Sequence, residues 1–194
     1  MTAFTSATSS ATAPATPRPG RLDGRRVLIT GASRGIGQAI ALRYADEGAT
    51  LCLAATTLDG LAETRSQAEA RGAEVLALAV DVADRTAVQS MVDTMVARLG
   101  GIDVLVNNAG VYHAATLLDT APEDFDRVMQ VNLYGAFHVL QLSLRQMRDQ
   151  GAGKVVNIAS TAGKGGSMNQ SAYNASKHAL VGLTRCAAVE LGPL

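Results

Sequence analysis

The most constraining feature of the sequence is a glycine-rich turn between a buried strand and a helix. The apolar run Arg26–Thr30 is typical of a parallel strand that is covered on both faces. It leads directly into Gly31-Ala-Ser-Arg-Gly-Ile-Gly37, and a helical pattern follows from Gln38 to Glu47. Glycines in this context allow a tight turn and let the backbone and the helix N-terminus approach a pyrophosphate. The spacing G-x-x-x-G-x-G therefore predicts a dinucleotide-binding turn, with an ordinary turn before a helix as the alternative.

The same unit of strand followed by helix recurs along the chain, which predicts an α/β fold of Rossmann type with a doubly wound parallel sheet. The further predicted strands are Thr50–Ala55, Glu74–Val80, Ile102–Val106 and Lys154–Ala159. The further predicted helices are Leu58–Arg71, Arg85–Leu99, Pro122–Gln150 and Ser171–Leu191. Asp119 or Thr120 is the predicted N-cap of the helix that begins near Pro122.

The end of the second strand indicates which dinucleotide is preferred. Dinucleotide-binding folds commonly use an acidic residue there to hold the ribose 2′-hydroxyl. In this chain Thr56 and Thr57 follow the strand, and the first carboxylate is Asp59. The missing negative charge, together with Arg34 in the glycine turn, favours a 2′-phosphate and hence NADP(H) over NAD. The alternative is that Asp59 turns inward and Arg34 faces water.

Polar residues also follow the third and fourth strands, where they would reach the same crevice. Asp81 and Val82 follow the third strand, and Asp81 either meets the adenine or caps the helix that begins near Asp84. The segment Asn107-Asn108-Ala109-Gly110 follows the fourth strand. Two amides and a glycine at this point fix a turn and allow a close approach to a cofactor.

Asn132 lies inside the long predicted helix. A mid-helix asparagine competes with the backbone for hydrogen bonds, and Gly135 weakens the helix further. We therefore predict a kink that points Asn132 inward, with a solvent-facing asparagine as the alternative.

Tyr173 and Lys177 are four residues apart on the last predicted helix, so their side chains lie on one face. An ammonium near a phenol favours the phenolate and lowers a pKa whose ordinary value is about 10. Ser160 follows the fifth strand, where a hydroxyl enters the crevice beyond the carboxyl ends of the strands. Together these groups bind a carbonyl oxygen and deliver a proton to it. Because the spacing Y-x-x-x-K alone is commonly a solvated helix face, this interpretation depends on the nucleotide-binding features.

The composition argues against several classes of protein. Lys and Arg number 17, and so do Asp and Glu, which leaves no net charge to attract nucleic acid or an acidic membrane surface. No apolar run reaches the length of a membrane span, so we expect a cytoplasmic protein. Cys52 and Cys186 are predicted to be buried small hydrophobes rather than a disulfide or metal pair, and no metal site is expected.

Residues 1–20 are an Ala/Thr/Ser/Pro tract for which we predict disorder, because it cannot bury enough surface to offset chain entropy. A faint likeness to an organelle transit peptide is the alternative. Residues 21–194 are expected to form one NADP-binding domain.

The motifs together resemble the short-chain dehydrogenase/reductase family over roughly Leu22–Leu194. The turn Thr30–Gly37 matches the family's cofactor turn, Asp81 its adenine contact, and Asn107–Gly110 its N-N-A-G stretch. The family's catalytic set of Asn, Ser, Tyr and Lys falls on Asn132, Ser160, Tyr173 and Lys177. The resemblance implies cofactor contacts from Gly31, Ser33, Arg34, Gly35, Ile36, Gly37, Thr56, Asp81, Val82, Asn107, Asn108, Ala109, Gly110, Tyr173 and Lys177.

Within the family, the chain is most similar to 3-oxoacyl-[acyl-carrier-protein] reductases, polyketide ketoreductases and acetoacetyl-CoA reductases. The resemblance implies a strand order of 3-2-1-4-5 and NADPH-dependent reduction of a ketone, with a 3-oxoacyl thioester of acyl carrier protein or CoA as the substrate. The alternatives are a sugar, polyol or steroid alcohol dehydrogenase of the same family, and an NADP-binding fragment without turnover.

The resemblance also implies a role for each catalytic residue. Tyr173 would donate the proton, and Lys177 would lower the pKa of Tyr173 and bind the nicotinamide ribose. Ser160 would hydrogen-bond the carbonyl oxygen, and Asn132 would hold a water molecule that links Lys177 to solvent. The pocket wall is expected from Val111–Ala115, which includes His113, and from Gly163–Gln170, in which Lys164 is a candidate for attracting an anionic carrier.

Family members continue beyond the position of Gly192-Pro-Leu194 with further strands and a substrate lid. We therefore expect a fragment that lacks the family's last strands and leaves the fifth strand as a sheet edge. The helices 122–150 and 171–191 carry apolar stripes that family members use to form homodimers and homotetramers. In this chain the alternative is that the stripes pack on the sheet.

Overall fold

The computed structural model describes residues 20–193. The predicted disorder of the N-terminal tract concerns residues that, apart from Gly20, lie outside this range, and so does the comparison of that tract with a transit peptide.

Five parallel strands form one sheet in the order β3-β2-β1-β4-β5, which confirms the predicted topology. The chain runs outward from β1 to β3 and then returns to place β4 on the other side of β1. A crevice opens at such a reversal, beyond the carboxyl ends of the strands. The strands are β1 (Arg26–Thr30), β2 (Thr50–Ala55), β3 (Val75–Ala79), β4 (Val104–Asn107) and β5 (Lys154–Asn157).

Helices follow each strand, as predicted, with boundaries that shift by a few residues. The helices are α1 (Gly35–Asp46), α2 (Leu58–Glu69), α3 (Arg85–Leu99), α4 (Pro122–Met129), α5 (Ala136–Gln150) and α6 (Ser171–Leu191). A π-helical segment, Gln130–Gly135, joins α4 to α5. The long predicted helix is therefore helical throughout, with π-helical instead of α-helical backbone in its middle.

The predicted N-cap of α4 is wrong. Ala121, with an extended backbone, precedes the helix, and Pro122 occupies the first helical position. Proline suits that position because its φ is already helical and its missing N–H would have had no partner there. Thr120 does not cap α4, and its hydroxyl donates instead to the carbonyl of Thr116 at 2.7 Å.

Two apolar layers cover the sheet because alternate strand side chains point to opposite faces. On one face, Leu28 and Leu105 pack with buried residues of α3 and α5. On the other face, Ile29 and Leu53 pack with buried residues of α1 and α2. Cys52 is fully buried in the first layer, as predicted.

The β5 end of the sheet is less covered. Within residues 20–193, β5 pairs only with β4, and Val156 is 41% exposed. Val189, on the C-terminal half of α6, is exposed. Cys186 lies on the same half and is also exposed, so its predicted burial is wrong. None of the helices in the described part of the chain is long and apolar enough to cross a bilayer.

Candidate active site

The glycine turn after β1 is shaped by close backbone contacts. Gly31 has φ +65°, and a Cβ on it would lie 2.8 Å from the Cα of Ala109. A Cβ on Gly37 would collide with the carbonyl oxygen of Gly31. Helix α1 begins without a side-chain cap, so its first N–H groups are available to a ligand. These features fit the pyrophosphate of a dinucleotide, as the sequence predicted.

A hydrogen-bond network locks this turn to the segment after β4. The buried Thr30 hydroxyl accepts from the backbone N–H groups of Asn108 and Ala109, at 3.0 and 3.1 Å. The Asn108 amide donates in return to the carbonyls of Thr30 and Gly31, both at 3.0 Å. The sequence analysis missed Thr30, whose hydroxyl in an otherwise apolar strand was the available signal.

A crevice of about 590 Å³ lies beyond the carboxyl ends of the central strands. Most of the residues predicted to contact the cofactor line it, namely Gly31, Ser33, Arg34, Gly35, Ile36, Thr56, Asp81, Val82, Asn108, Ala109 and Gly110. The other predicted contacts, Gly37, Asn107, Tyr173 and Lys177, do not line it. Asn107 is buried and donates to the carbonyl of Ala136 at 2.8 Å, so it ties β4 to α5.

The structure excludes one of the two predicted roles of Asp81. Asp84 caps α3, with its carboxylate accepting from the N–H groups of Thr86 and Ala87. Asp81 accepts from the N–H of Ala83 at 2.9 Å and lines the crevice, so the capping alternative is wrong. Thr56, directly after β2, lines the crevice, and Arg34 lines both the crevice and a neighbouring hollow.

The π-helical segment turns Asn132 inward, and its side chain is fully buried. Its amide oxygen accepts from the N–H of Val111 at 2.7 Å, and its amide nitrogen donates to the carbonyl of Val111 at 2.9 Å. The same nitrogen also contacts the Ser176 hydroxyl at 3.2 Å. The predicted inward direction is confirmed, and the solvent-facing alternative is wrong.

Both N–H groups of the Asn132 amide are therefore engaged by protein partners. Ser176 is completely buried and donates to the carbonyl of Tyr173, so it couples Asn132 to α6. The sequence analysis missed this role, because a serine beside Lys177 carries no pattern of its own.

Lys177 and Tyr173 lie on the same face of α6. The Lys177 Nζ is 5.6 Å from the centre of the Tyr173 ring and donates to the carbonyl of Ile158 at 2.7 Å. Burial lowers the pKa of Lys177 from its ordinary value, since its side chain is only 4% exposed. A Cβ on Gly110 would lie 3.8 Å from Nζ, so the amine borders a residue that lines the crevice.

Ser160 precedes the short 3₁₀ turn Thr161–Gly163 and caps it, with its hydroxyl oxygen accepting from the N–H of Ala162 at 3.1 Å. This bond leaves the hydroxyl proton free to donate to a ligand. A Cβ on Gly163 would lie 2.9 Å from the carbonyl oxygen of Lys177, so the turn packs directly on α6.

The two segments predicted to form the pocket wall differ in what they line. Val111, Tyr112 and His113 line a hollow of about 400 Å³ that shares Gly110 and Val111 with the crevice. Lys164 is exposed and lines neither space. Within residues 20–193, no three His, Cys, Asp or Glu side chains are close enough to hold a metal ion.

Comparison with known proteins places this geometry in a family. Residues 25–194 match the model of the short chain dehydrogenase family. Levodione reductase of Leifsonia aquatica is 43% identical, with 89% of this chain and 66% of that protein covered. The 3-oxoacyl-[acyl-carrier-protein] reductase of Thermotoga maritima is 40% identical, with 88% and 70% covered.

The solved structures agree. A NAD⁺-bound xylitol dehydrogenase superposes with a TM-score of 0.88 at 41% identity, covering 89% of this chain and 67% of that one. The chain thus spans about two thirds of the length of the relatives that it matches. Family model, sequence identity and superposition all cover the crevice and the residues around Lys177, and the chain belongs to the short-chain dehydrogenase family of oxidoreductases.

Proposed function

We propose that this chain carries the site of an NADPH-dependent ketone reductase whose substrate is a 3-oxoacyl thioester of acyl carrier protein or CoA. The observation that carries the proposal is the position of Lys177, a buried amine beside the Tyr173 ring and next to Gly110 at the crevice. Burying the Lys177 ammonium costs free energy of folding. A bound ligand and a Tyr173 phenolate would offset that cost.

The residues present fit the dinucleotide. The uncapped start of α1 and the close approach of Gly31 to Ala109 suit a pyrophosphate, and Asp81 and Val82 line the part expected to receive adenine. When bound, NADPH would supply the hydride that converts the ketone carbon to an alcohol carbon.

The chain's own groups would manage the oxygen of the ketone. Ser160 would donate its free proton to the carbonyl oxygen, stabilising negative charge as it develops there. Tyr173 would give its phenolic proton to the same oxygen. The Lys177 ammonium would then stabilise the phenolate by charge, and its two N–H groups not used by Ile158 would hold the nicotinamide ribose.

Asn132 would act by holding the backbone of Val111 in place. Because its amide is engaged by Val111 and Ser176, a water molecule that links Lys177 to solvent would use the backbone of the π-helical segment instead. Asn132 would thereby keep Val111 and α6 at a fixed separation.

The preference for NADPH rests on two residues that line the crevice. Arg34 supplies a positive charge there, and Thr56 follows β2 in place of a carboxylate, while Asp59 is exposed and does not line it. We expect Arg34→Ala to weaken NADPH at least about tenfold, through loss of a charged hydrogen bond to phosphate, and NADH about twofold or less. Fluorescence titration with both nucleotides measures this, and equal losses would contradict the assignment.

The reductase itself is tested by turnover of an acetoacetyl thioester with NADPH. We expect Tyr173→Phe to lower turnover about 10³-fold, because the proton donor is lost, while the NADPH affinity changes about twofold or less. Tyr44→Phe, on α1, is the matched control. Near-normal turnover of Tyr173→Phe would rule out Tyr173 as the donor.

A second candidate is oxidation of a sugar or polyol alcohol with NAD, favoured by the similarity to NAD⁺-bound xylitol dehydrogenase and to a sorbitol dehydrogenase of Cereibacter sphaeroides at 37% identity. Assays with xylitol and sorbitol in the presence of NAD⁺ separate the two. A third outcome, NADPH binding with no turnover of any substrate, would favour a binding role. Pairing of two copies through α5 and α6 remains part of the proposal and is tested by the mass in solution.

A further inference from the structure

Tyr112 makes an aromatic contact with Tyr173 that the proposed reaction does not require. The two ring centres are 5.3 Å apart and the ring planes meet at 76°, an edge-to-face arrangement. Edge-to-face pairs of this kind stabilise each other beyond the area that they bury. The Tyr173 ring therefore lies between the Lys177 amine on one side and the Tyr112 ring on another.

Tyr112 is nevertheless 56% exposed, which is unusual for a large aromatic side chain with a fixed partner. Its exposed part borders the hollow of about 400 Å³ that continues the crevice. An exposed aromatic at the rim of a functional crevice is a common mark of a ligand contact.

The backbone on both sides of Tyr112 is anchored. Val111, directly before it, is held by two hydrogen bonds to the Asn132 side chain, at 2.7 and 2.9 Å. Three residues after it, the N–H of Ala115 donates to the carbonyl of Asn169 at 3.2 Å, and Ala115 forms a bridge with Gln170. Tyr112 is therefore a pre-positioned wall and not the tip of a freely moving loop.

We infer that Tyr112 is a specificity-determining residue whose ring restricts the length of the ketone substituent on its side. The ring packs edge-to-face on the Tyr173 ring, and the hydrogen bonds at Val111 and Ala115 hold the backbone on both sides of it. The substrate class that fits is an acetoacetyl-type thioester rather than a long-chain 3-oxoacyl thioester. This inference rests on the proposed reductase function.

The first test compares two thioesters of the same thiol, acetoacetyl and 3-oxooctanoyl, with NADPH. We expect Tyr112→Ala to raise the ratio of kcat/KM for the long substrate over the short one at least about tenfold, since several methylenes gain space. Tyr112→Phe keeps the ring and should leave the ratio within about twofold of wild type. Tyr134→Ala removes a tyrosine of similar exposure on the π-helical segment and should also leave the ratio unchanged.

An equal fall of kcat for both thioesters in Tyr112→Ala, with KM unchanged, would overturn the inference. It would mean that the ring only holds Tyr173 in place. A ratio that does not move in any variant would overturn it as well.

The second test does not depend on turnover. The chain has four tyrosines, so 3-fluorotyrosine labelling gives a ¹⁹F spectrum in which Tyr112→Phe, Tyr134→Phe and Tyr173→Phe assign three signals. With NADP⁺ present and no hydride available, adding acetoacetyl thioester should shift the Tyr112 and Tyr173 signals and leave that of Tyr134 unchanged. A Tyr112 signal that stays in place while that of Tyr173 moves would contradict the inference.

The two tests separate failure of the inference from failure of the proposed function. Shifted signals without any reduction of either thioester would refute the reductase and retain Tyr112 as a contact. Normal reduction with an unmoved Tyr112 signal and an unchanged ratio would retain the reductase and refute the role of Tyr112.

Discussion

On the β1 side of the crevice the buried polar groups bond to one another, whereas on the α6 side several remain available to a ligand. The Thr30 hydroxyl accepts two hydrogen bonds from the backbone after β4, and the Asn108 amide donates two to the backbone at the end of β1. By contrast, Lys177 uses one of its three N–H groups, and Ser160 accepts one bond while its own proton stays free. The first side is thus a shaped backbone surface, and the second is a set of chemically active side chains.

The β1 side is also more deeply buried in the sheet than the side that carries Ser160. Strand β1 has a neighbour on each side and four fully buried residues, while β5, which leads to Ser160, is paired on one side and half exposed. Substitutions on the β1 side should therefore act mainly through stability and cofactor affinity. Substitutions on the α6 side should act mainly through turnover.

The largest expected effect is on the α6 side. Lys177→Met removes a buried charge beside Tyr173, and we expect turnover of acetoacetyl thioester to fall about 10³-fold. Lys154→Met, at an exposed position on β5, serves as the control and should retain full turnover. Steady-state kinetics with NADPH measures both variants. A Lys177→Met variant that keeps a tenth of the wild-type turnover would contradict the assignment of the active side chains to the α6 side.

The same variant has a second readout in alkaline solution. Because burial lowers the pKa of Lys177, the unfolded chain binds this proton more tightly than the folded chain does. Between the lowered pKa and the ordinary value of about 10.4, the contribution of Lys177 to the free energy of unfolding rises with pH. Urea unfolding should show this rise in the wild type relative to Lys177→Met, and parallel pH profiles would contradict it.

Next in size is a backbone effect on the β1 side. Gly37→Ala places a methyl group against the carbonyl of Gly31, and we expect a loss of about 3 kcal/mol in the free energy of unfolding together with weaker NADPH binding. Gly182→Ala, in α6 with open space around it, should instead stabilise by about 0.5–1 kcal/mol. Denaturant unfolding measures both, and similar values for the two variants would refute the role of close approach.

The smallest expected effect concerns the lock between β1 and β4. Thr30→Val leaves the N–H groups of Asn108 and Ala109 without their acceptor, at a cost of about 2 kcal/mol in the free energy of unfolding. Thr30→Ser keeps the hydroxyl and should lose about 1 kcal/mol or less. Turnover of the folded Thr30→Val protein should stay within about threefold of wild type. A larger fall would mean that the β1 side also contributes to turnover.

The fold and most of the site were predictable because they follow from local patterns. Apolar runs that alternate with amphipathic helices give a parallel sheet, and glycines at fixed spacing give the turn that follows β1. The inward direction of Asn132 was predictable for a similar reason, since an asparagine and a glycine close together weaken a helix.

Other features depended on neighbours that are distant in the chain. Cys186 was expected to be buried, but folding leaves it exposed beside a hollow between α5 and α6. Tyr112 lies in the segment predicted to form the pocket wall, but its contact with Tyr173 gave no signal, because the two residues are 61 positions apart in the sequence. Asp81 was an acceptable cap in the sequence, and only the start of α3 at Arg85 showed that Asp84 caps the helix instead.

The sequence by itself determined the alternation of strands and helices, the glycine turn and the spacing of Tyr173 and Lys177 on one helical face, since these depend on periodicity and backbone sterics over short distances. The strand order was implied by the family resemblance. The tertiary structure decided which polar groups are satisfied by the protein and which remain open to a ligand. That distinction depends on the partners brought together by folding, such as Val111 with Asn132 and Ile158 with Lys177. Burial and hydrogen-bond pairing are properties of those partners and not of the residue types alone.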